Sequence, residues 1–142
     1  MPGDRYFLDT NILVYANDAS DPAKQAAAVK LIGEGLRSGR GVISTQVLGE
    51  FWVTVTRKIA VPLDGETAEA EIAKFEAFKI VSIGYDAVKS AIAKQKDYRL
   101  SYWDALILSA AELGGCETVY SEDLSSGRTY GGISVADPFR RA

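Results

Sequence analysis

The sequence predicts a three-layer α/β fold, in which helices cover both faces of a mainly parallel sheet. Short apolar segments alternate with helical segments along the chain, the order expected for parallel strands joined by helices. The length of 142 residues suits one domain, and no repeat or linker divides the chain, so we expect a single domain over residues 1–142. Apolar residues make up 47% of the sequence and charged residues 25%, enough for an ordinary core and a soluble surface.

The first half of the chain contains two predicted strands and three predicted helices. "YFLD" is the first strand, and "NILVYA" begins a short helix. "DPAKQAAAVKLIGEGLRSG" predicts a helix with Asp21 at its N-cap, Pro22 in its first turn and Gly39 at its exit. "GVIS" is the second strand, and "TQVLGEFWVTVTRKIA" is a helix led by Ser44 or Thr45.

The second half repeats this alternation. "TAEAEIAKFEAF" is a helix capped by Asp64, and "KIVSIG" is the third strand. "DAVKSAIAKQKDY" has the pattern of an amphipathic helix. "SYWDALILSAAELG" is apolar on nearly all sides and therefore predicts a central buried helix. "ETVYS" and "GISVA" are the last two strands.

The composition excludes several classes of function. A net charge of −3 and a pI of about 5.0 argue against a broad basic surface that binds nucleic acid by charge alone, although a local basic rim is allowed. The chain has no histidine, which removes the usual general base, the Ser-His and Cys-His nucleophile pairs and typical zinc sites. Hydrolytic chemistry would therefore have to use carboxylates, hydroxyls, lysine or a hard cation.

The chain is expected to be cytoplasmic and not to contact a membrane. "MPGDRYF" lacks the basic segment and apolar run of a signal peptide, and no segment approaches transmembrane length. The single cysteine, Cys116, excludes an intrachain disulfide and is expected to be a small buried apolar residue. A reducing compartment is compatible with this cysteine usage.

Four acids are predicted to lie at one edge of the sheet. Asp9 ends the first strand, Asp123 follows "VYS", and Asp104 lies in the first turn of the apolar helix. Ser44 ends the second strand, so Glu50 falls in the second turn of the helix that follows. Ligands of parallel α/β sheets bind beyond the carboxyl ends of the strands, where Asp9, Glu50 and Asp123 would meet, although the helix of Asp104 is not directly preceded by a strand.

Each acid also has an ordinary structural interpretation. Asp9 could cap the helix that follows it, and Glu50 could be a solvated helix residue. Asp104 could form a capping box with Ser101, because Ser-x-x-Asp fits that pattern, and Asp123 could be a turn acid. A cap and a functional role can coexist at one residue.

Taken together, the acids favour a metal site. Four carboxylates at close range repel one another and take up protons unless a cation lies among them. Oxygen-only ligands suit Mg²⁺ or Mn²⁺, and such an ion lowers the pKa of bound water and neutralises charge on a phosphodiester. The sequence therefore points to metal-dependent phosphodiester hydrolysis.

Four segments carry a resemblance to a known family: "FLDTNILVY", "STQVLGEFW", "SYWDALILSAA" and "VYSEDLSSG". In this order, and at this chain length, they resemble the PIN-domain family, most closely the VapC toxins of type II toxin–antitoxin pairs. The resemblance spans nearly the whole chain and implies an α/β/α PIN-like fold. The tail "ISVADPF" resembles the closing strand of the family, but Asp137 stands where Asn is common, and we assign it no catalytic role.

The resemblance also implies a set of site residues. The acidic quartet of the family falls on four positions, Asp9, Glu50, Asp104 and Asp123. The family pattern of a hydroxyl residue, any residue and then Asp selects Asp123 over the adjacent Glu122, with Ser121 as the hydroxyl partner. Asn11 matches the polar residue two positions after the first Asp, where its amide is expected to orient a carboxylate or a water molecule.

The resemblance implies a Mg²⁺- or Mn²⁺-dependent ribonuclease. Asp9 and Asp104 would be the principal metal ligands, and Glu50 and Asp123 would complete the set. Water would attack the phosphorus, and the cleavage would leave a 5′-phosphate and a 3′-hydroxyl. A cognate antitoxin would fill the groove and often offer an arginine to the acids, and a homodimer is common.

RNA must approach an acidic centre, so flanking positive charge is expected. The candidates are Arg57, Lys58, Lys94, Lys96, Arg99 and Arg128. Tyr130, in a glycine-rich segment, could stack on a base, whereas Trp52 and Trp103 are interpreted as core or partner-facing residues.

Three other functions stay open on the sequence alone. The first is a PIN nuclease of RNA processing that has no antitoxin. The second is an aspartyl-phosphate phosphatase with Asp9 as the nucleophile, although Asn11 stands where a second Asp is usual. The third is a non-catalytic module that binds a metal or a partner.

Overall fold

A six-stranded sheet forms the centre of the protein. The computed structural model describes residues 4–124 and 127–140. In chain order, the strands are β1 (Arg5–Leu8), β2 (Gly41–Ser44), β3 (Lys79–Val81), β4 (Cys116–Tyr120), β5 (Thr129–Tyr130) and β6 (Ile133–Ala136). Their order across the sheet is β3-β2-β1-β4-β6-β5, and among the described strands the β5–β6 pair is antiparallel and the others are parallel. The predicted α/β class with a mainly parallel sheet is confirmed.

The strands are connected mostly through helices. These are α1 (Thr10–Tyr15), α2 (Pro22–Ser38), α3 (Thr45–Arg57), α4 (Gly65–Phe75), α5 (Tyr85–Tyr98) and α6 (Tyr102–Leu113). The predicted caps are observed: Asp21 accepts a hydrogen bond from the Lys24 N–H, and Asp64 accepts one from the Thr67 N–H. Gly39 ends α2 with φ 72°, in the left-handed region that glycine adopts readily.

The core lies on both faces of the central strands. Phe7 and Leu8 of β1, and Val42 and Ile43 of β2, are fully buried. Helix α6 is buried continuously from residue 105 to residue 111, as its apolar sequence predicts. This helix packs against β2, β4 and β6 and so carries Asp104 to a fixed position over the sheet.

The parallel registers bring two strand ends together. Leu8 of β1 is paired with Tyr120 of β4, so Asp9 and Ser121 follow their strands at the same level. The Asp9 N–H donates to the Tyr120 carbonyl at 3.0 Å, which extends the pairing by one residue. The carboxyl edge of the sheet therefore begins with Asp9 beside Ser121.

Several element bounds differ from the sequence prediction, because local contacts end the regular hydrogen bonding. Strand β3 stops at Val81 rather than residue 84, and the Ile83 N–H turns to the Thr45 hydroxyl at 3.1 Å. Helix α3 stops at Arg57 rather than residue 60, as the Leu63 N–H folds back to the Val55 carbonyl at 2.8 Å. The two-residue edge strand β5 was not predicted.

None of the helices within the described ranges has the length and apolar character needed to cross a membrane.

Candidate active site

Asp9 is a buried carboxylate at the end of β1. It is 5% exposed and accepts two hydrogen bonds, one from the Thr10 N–H and one from the Ser121 hydroxyl, both at 2.7 Å. Burial raises the pKa of Asp9 to about 6, and repulsion from Asp123 and Glu50 adds to the increase, whereas the two hydrogen bonds oppose it. Asp9 does lie at the start of α1, as a capping role predicts, but its environment is that of an acid held among other acids.

Ser121 connects the first acid to the loop after β4. Its side chain is fully buried, and its hydroxyl donates to Asp9 while accepting from the N–H groups of Asp123, at 3.0 Å, and Leu124, at 3.2 Å. A hydroxyl offers one donor and two acceptor sites, so every hydrogen-bonding capacity of this group is used. The structure therefore places Ser121 as a bridge between Asp9 and Asp123.

Asp123 is exposed and is held by Asn11. The Asn11 amide donates to the Asp123 carboxylate at 3.0 Å, and its carbonyl oxygen accepts from the Glu122 N–H at 3.3 Å. Glu122, the neighbouring acid, instead directs its side chain to Tyr15 and Lys24. The two adjacent acids thus have different partners, and the choice of Asp123 as the site residue stays a prediction.

Glu50 lies in the second turn of α3, as predicted, and is exposed. It accepts hydrogen bonds from the Thr10 hydroxyl at 2.7 Å and from the Gln46 amide at 3.3 Å. Thr10 was not identified from the sequence, although a hydroxyl residue directly after the strand-end acid is the signal that could have found it. Through its N–H and its hydroxyl, Thr10 contacts both Asp9 and Glu50.

Asp104 lies in the first turn of α6, where Ser101 caps the helix by accepting from the Asp104 N–H at 3.1 Å. Burial raises the pKa of the Asp104 carboxyl, and repulsion from Asp123 and Glu50 adds to the effect, whereas a hydrogen bond between the Ser101 side chain and the carboxylate opposes it. The cap therefore leaves the side chain in the field of the other acids. We call the group of Asp9, Glu50, Asp104 and Asp123 the acidic centre.

An open pocket of about 430 Å³ lies beside the acidic centre. Its lining includes Glu50 and Thr54 from α3, the C-cap residue Lys58 that follows this helix, Asn11 and Tyr15 from α1, and Asp123 from the loop after β4. Lys58 is the cation among the predicted RNA contacts that lines this pocket, and it places positive charge next to the acids. Tyr15 was not identified from the sequence.

The other predicted RNA contacts lie elsewhere on the surface. Arg57, Lys96, Arg99 and Arg128 are exposed but do not line the pocket. Lys94 donates to Glu112 at 3.1 Å, so its charge is already partnered.

The interpretation of Tyr130 as a base-stacking residue is wrong. It belongs to β5 and is 2% exposed, with its ring against Tyr98 at 5.2 Å and under the Arg128 guanidinium at 4.8 Å. The strand has only two residues and lies in a glycine-rich segment, so the local sequence predicts a loop, whereas pairing with β6 makes it a strand. Trp52 is 37% exposed and Trp103 is 60% exposed, so neither is a core residue, and the partner-facing interpretation of both stays a prediction.

The donor atoms of the acidic centre are those that a hard divalent cation prefers. Its side chains offer carboxylate oxygens alone, and the buried Asp9 has a raised pKa that a nearby cation would lower. Within residues 4–124 and 127–140, no group of three or more acidic side chains has the spacing of a formed metal site. Glu50 and Asp123 instead have their oxygens turned to Thr10 and Asn11. A cation would therefore have to draw these side chains from their present partners.

This combination defines a class: an α/β protein with an acidic centre at the carboxyl edge of a parallel sheet. The model of the PIN domain family matches residues 6–130, and the chain belongs to the PIN-domain family. The resemblance seen in the sequence is thereby confirmed. A search of curated proteins finds no match.

Solved structures of similar fold come from bacterial toxin systems. The chain is 21% identical to VapC20 of Mycobacterium tuberculosis, a sarcin-ricin-loop-cleaving toxin, with a TM-score of 0.65 over 83% of this chain and 89% of that one. A toxin–antitoxin complex from Klebsiella pneumoniae is 21% identical, with a TM-score of 0.66 over 94% and 97%. DNA-bound VapBC from Salmonella typhimurium is 18% identical, with a TM-score of 0.65 over 95% and 98%.

Proposed function

We propose that this protein is a metal-dependent endoribonuclease and the toxin of a type II toxin–antitoxin pair. The observation that carries the proposal is the buried carboxylate of Asp9 at the carboxyl edge of a PIN domain. The charges of Asp123 and Glu50 repel this carboxylate. Such an arrangement is costly in a protein without a cation, because burial and repulsion both disfavour the charged carboxylate. Functional sites are where costs of this kind concentrate.

The chain's own residues divide the work. Asp9 and Asp104 would hold Mg²⁺ or Mn²⁺, and Glu50 and Asp123 would complete the ligand set directly or through water. When bound, the cation supplies activation of the attacking water and neutralises charge on the phosphodiester. Ser121 keeps the Asp9 carboxylate oriented through its 2.7 Å hydrogen bond, and Asn11 does the same for Asp123 at 3.0 Å.

The substrate is proposed to be RNA that runs along the pocket beside the acidic centre. Lys58 lines that pocket and can contact a phosphate, while Arg57, Arg99 and Arg128 add positive charge further along the surface. The pocket volume of about 430 Å³ is within the range of small-molecule sites, enough for one nucleotide.

A protein antitoxin and a second copy of the chain are the proposed protein partners. Two of the similar solved structures are toxin–antitoxin assemblies, and this likeness extends over at least 94% of the chain. The exposed Trp52 and Trp103 offer the large apolar contact area that protein interfaces use.

The decisive experiment compares induced expression of the wild type, Asp104→Asn and Asp86→Asn in bacterial cells, with mapping of new RNA 5′ ends. Asp104→Asn keeps the size of the side chain but removes the charge that would hold the cation, so we expect growth arrest and new ends with the wild type only. The loss should reach about 100-fold or more in cleavage rate.

Asp86→Asn is the matched control, because Asp86 is an exposed acid on α5 that forms an ion pair with Lys89 and does not line the pocket. It should arrest growth as the wild type does. Cleavage by purified protein without growth arrest would favour an RNA-processing nuclease. RNA left intact by folded protein in Mg²⁺ or Mn²⁺ would contradict the ribonuclease proposal, and a covalent phosphate on Asp9 would favour a phosphatase.

A further inference from the structure

A second cluster of charged and aromatic side chains includes Glu122, the residue directly before Asp123 of the acidic centre. Lys24 of α2 forms an ion pair with Glu122 and donates a hydrogen bond to the Tyr15 hydroxyl at 3.3 Å. The Tyr15 hydroxyl in turn donates to Glu122 at 2.7 Å. We call Lys24, Tyr15, Glu122 and Phe139 the lysine cluster.

The aromatic rings enclose the ammonium group of Lys24. It lies 4.8 Å from the centre of the Tyr15 ring and 5.6 Å from that of Phe139, and the two rings meet edge to face at 5.0 Å. The hydrogen bond to Glu122, followed by that to Tyr15, raises the pKa of Lys24, which keeps the ammonium charged. The lysine cluster therefore joins α1, α2, the loop after β4 and the segment after β6.

The loop after β4 is held from two sides. On one side, Lys24 and Tyr15 bind the side chain of Glu122. On the other side, Asn11 binds both the Glu122 N–H and the Asp123 carboxylate. Because Glu122 and Asp123 are consecutive, a rotation of the loop that frees one side chain would displace the other.

We propose that Lys24 and Glu122 are positioning residues, which fix the loop after β4 so that the Asp123 carboxylate faces the acidic centre. The proposal rests on the proposed function for the reaction that is affected, but its effect on cation binding is independent of the RNA substrate. The two side chains are 32% and 27% exposed. A partly exposed ion pair contributes only about 0–1 kcal/mol to stability, so its loss should affect the site more than the fold.

The experiment uses Lys24→Met and Glu122→Gln in the 142-residue chain. For each we expect Mn²⁺ affinity and kcat for RNA cleavage to fall by about 10-fold, the loss typical of residues that support metal ligands. KM should change little, because the pocket lining is retained, and the melting temperature should stay close to that of the wild type. Mn²⁺ affinity is measured by calorimetry in the absence of RNA.

Two further variants separate positioning from general packing. Lys24→Arg keeps a cation that can pair with Glu122, and it should restore most of the lost affinity. Lys74→Met removes a lysine that pairs with Glu71 at 2.6 Å on α4, away from the loop after β4, so it is a matched control for the loss of one Lys–Glu pair. It should bind Mn²⁺ as the wild type does.

Unchanged Mn²⁺ affinity and kcat in Lys24→Met and Glu122→Gln would overturn the proposal. An equal loss in Lys74→Met would do the same, since the effect would then not be specific to the loop. A wild type that binds Mn²⁺ but leaves RNA intact would contradict the proposed function alone, because the Mn²⁺ affinities of the variants would still decide the positioning role.

Discussion

At the residue scale, Asp9 shows how one side chain can both cap a helix and belong to a candidate active site. It follows a buried strand and starts a helix, so its position alone is explained by capping. Its 5% exposure and its raised pKa are what distinguish it from a surface cap. Sequence spacing predicted the position of this acid, but the burial that gives it a distinct chemistry depends on the packing of β1 against β4.

The raised pKa of Asp9 predicts a pH-dependent cost in the metal-free protein. The folded pKa of about 6 lies above the ordinary value of 3.8, so the folded state holds more protons between these values and stability falls as pH rises through them. Above about pH 6 the full loss in free energy of unfolding is reached, and it amounts to at most about 3 kcal/mol. Below the ordinary value the cost is absent.

The prediction is tested with Asp9→Asn, which cannot ionise. Urea unfolding of the metal-free wild type and variant at pH 4.5, 5.5 and 7 should show the stability of the variant increasing relative to that of the wild type as pH rises. Other carboxylates titrate in both proteins and cancel in the difference. A stability difference that stays constant with pH would contradict the role of burial at this residue.

At the element scale, α3 and its C-cap residue form one side of the pocket over about two helical turns. Glu50, Thr54 and Lys58 are spaced by four residues and all line the pocket, so an acid in the second turn and a cation at the C-cap lie on one face. The acid lies at the proposed reaction centre, and the cation lies where a neighbouring phosphate of the same strand would pass.

Lys58→Ala should therefore weaken RNA binding and reduce its salt dependence by about one phosphate contact. RNA affinity is measured as a function of salt concentration. All proteins compared also carry Asp104→Asn, which is expected to impair cleavage, so that the substrate stays intact. Lys30→Ala, which removes an exposed lysine of α2 outside the pocket, is the matched control. Equal slopes for Lys58→Ala and the parent would exclude a phosphate contact at this position.

The elements also show where prediction from sequence reaches its limit. Helices with a clear cap and a regular apolar pattern, such as α2 and α6, were predicted nearly to the residue. The end of α3 was not, because a contact between Leu63 and Val55 ends it rather than a local breaker. Strand β5 exists only through its pairing with β6 and has no pattern of its own over two residues. Likewise, no sequence spacing relates Lys24 to Glu122.

At the scale of the whole molecule, Cys116 reports on global opening. It begins the central strand β4, is 6% exposed, and its pKa is raised by burial to about 12. At pH 8 the folded protein should react with a thiol reagent roughly 1,000-fold more slowly than the protein in urea, since the thiolate fraction falls tenfold per pKa unit. Rapid stoichiometric labelling of the folded protein would contradict this prediction.

The two edge strands of the sheet are short: β3 has three residues and β5 has two. Edge strands of this length present few unpaired backbone N–H and C=O groups. A strand of another molecule therefore has little to pair with, and the sheet is poorly suited to extension by intermolecular strand pairing. Association of two copies should therefore proceed through side chains on helix surfaces. Amide exchange on dimerisation would then change along helices, while the backbone of β3 and β5 keeps its protection.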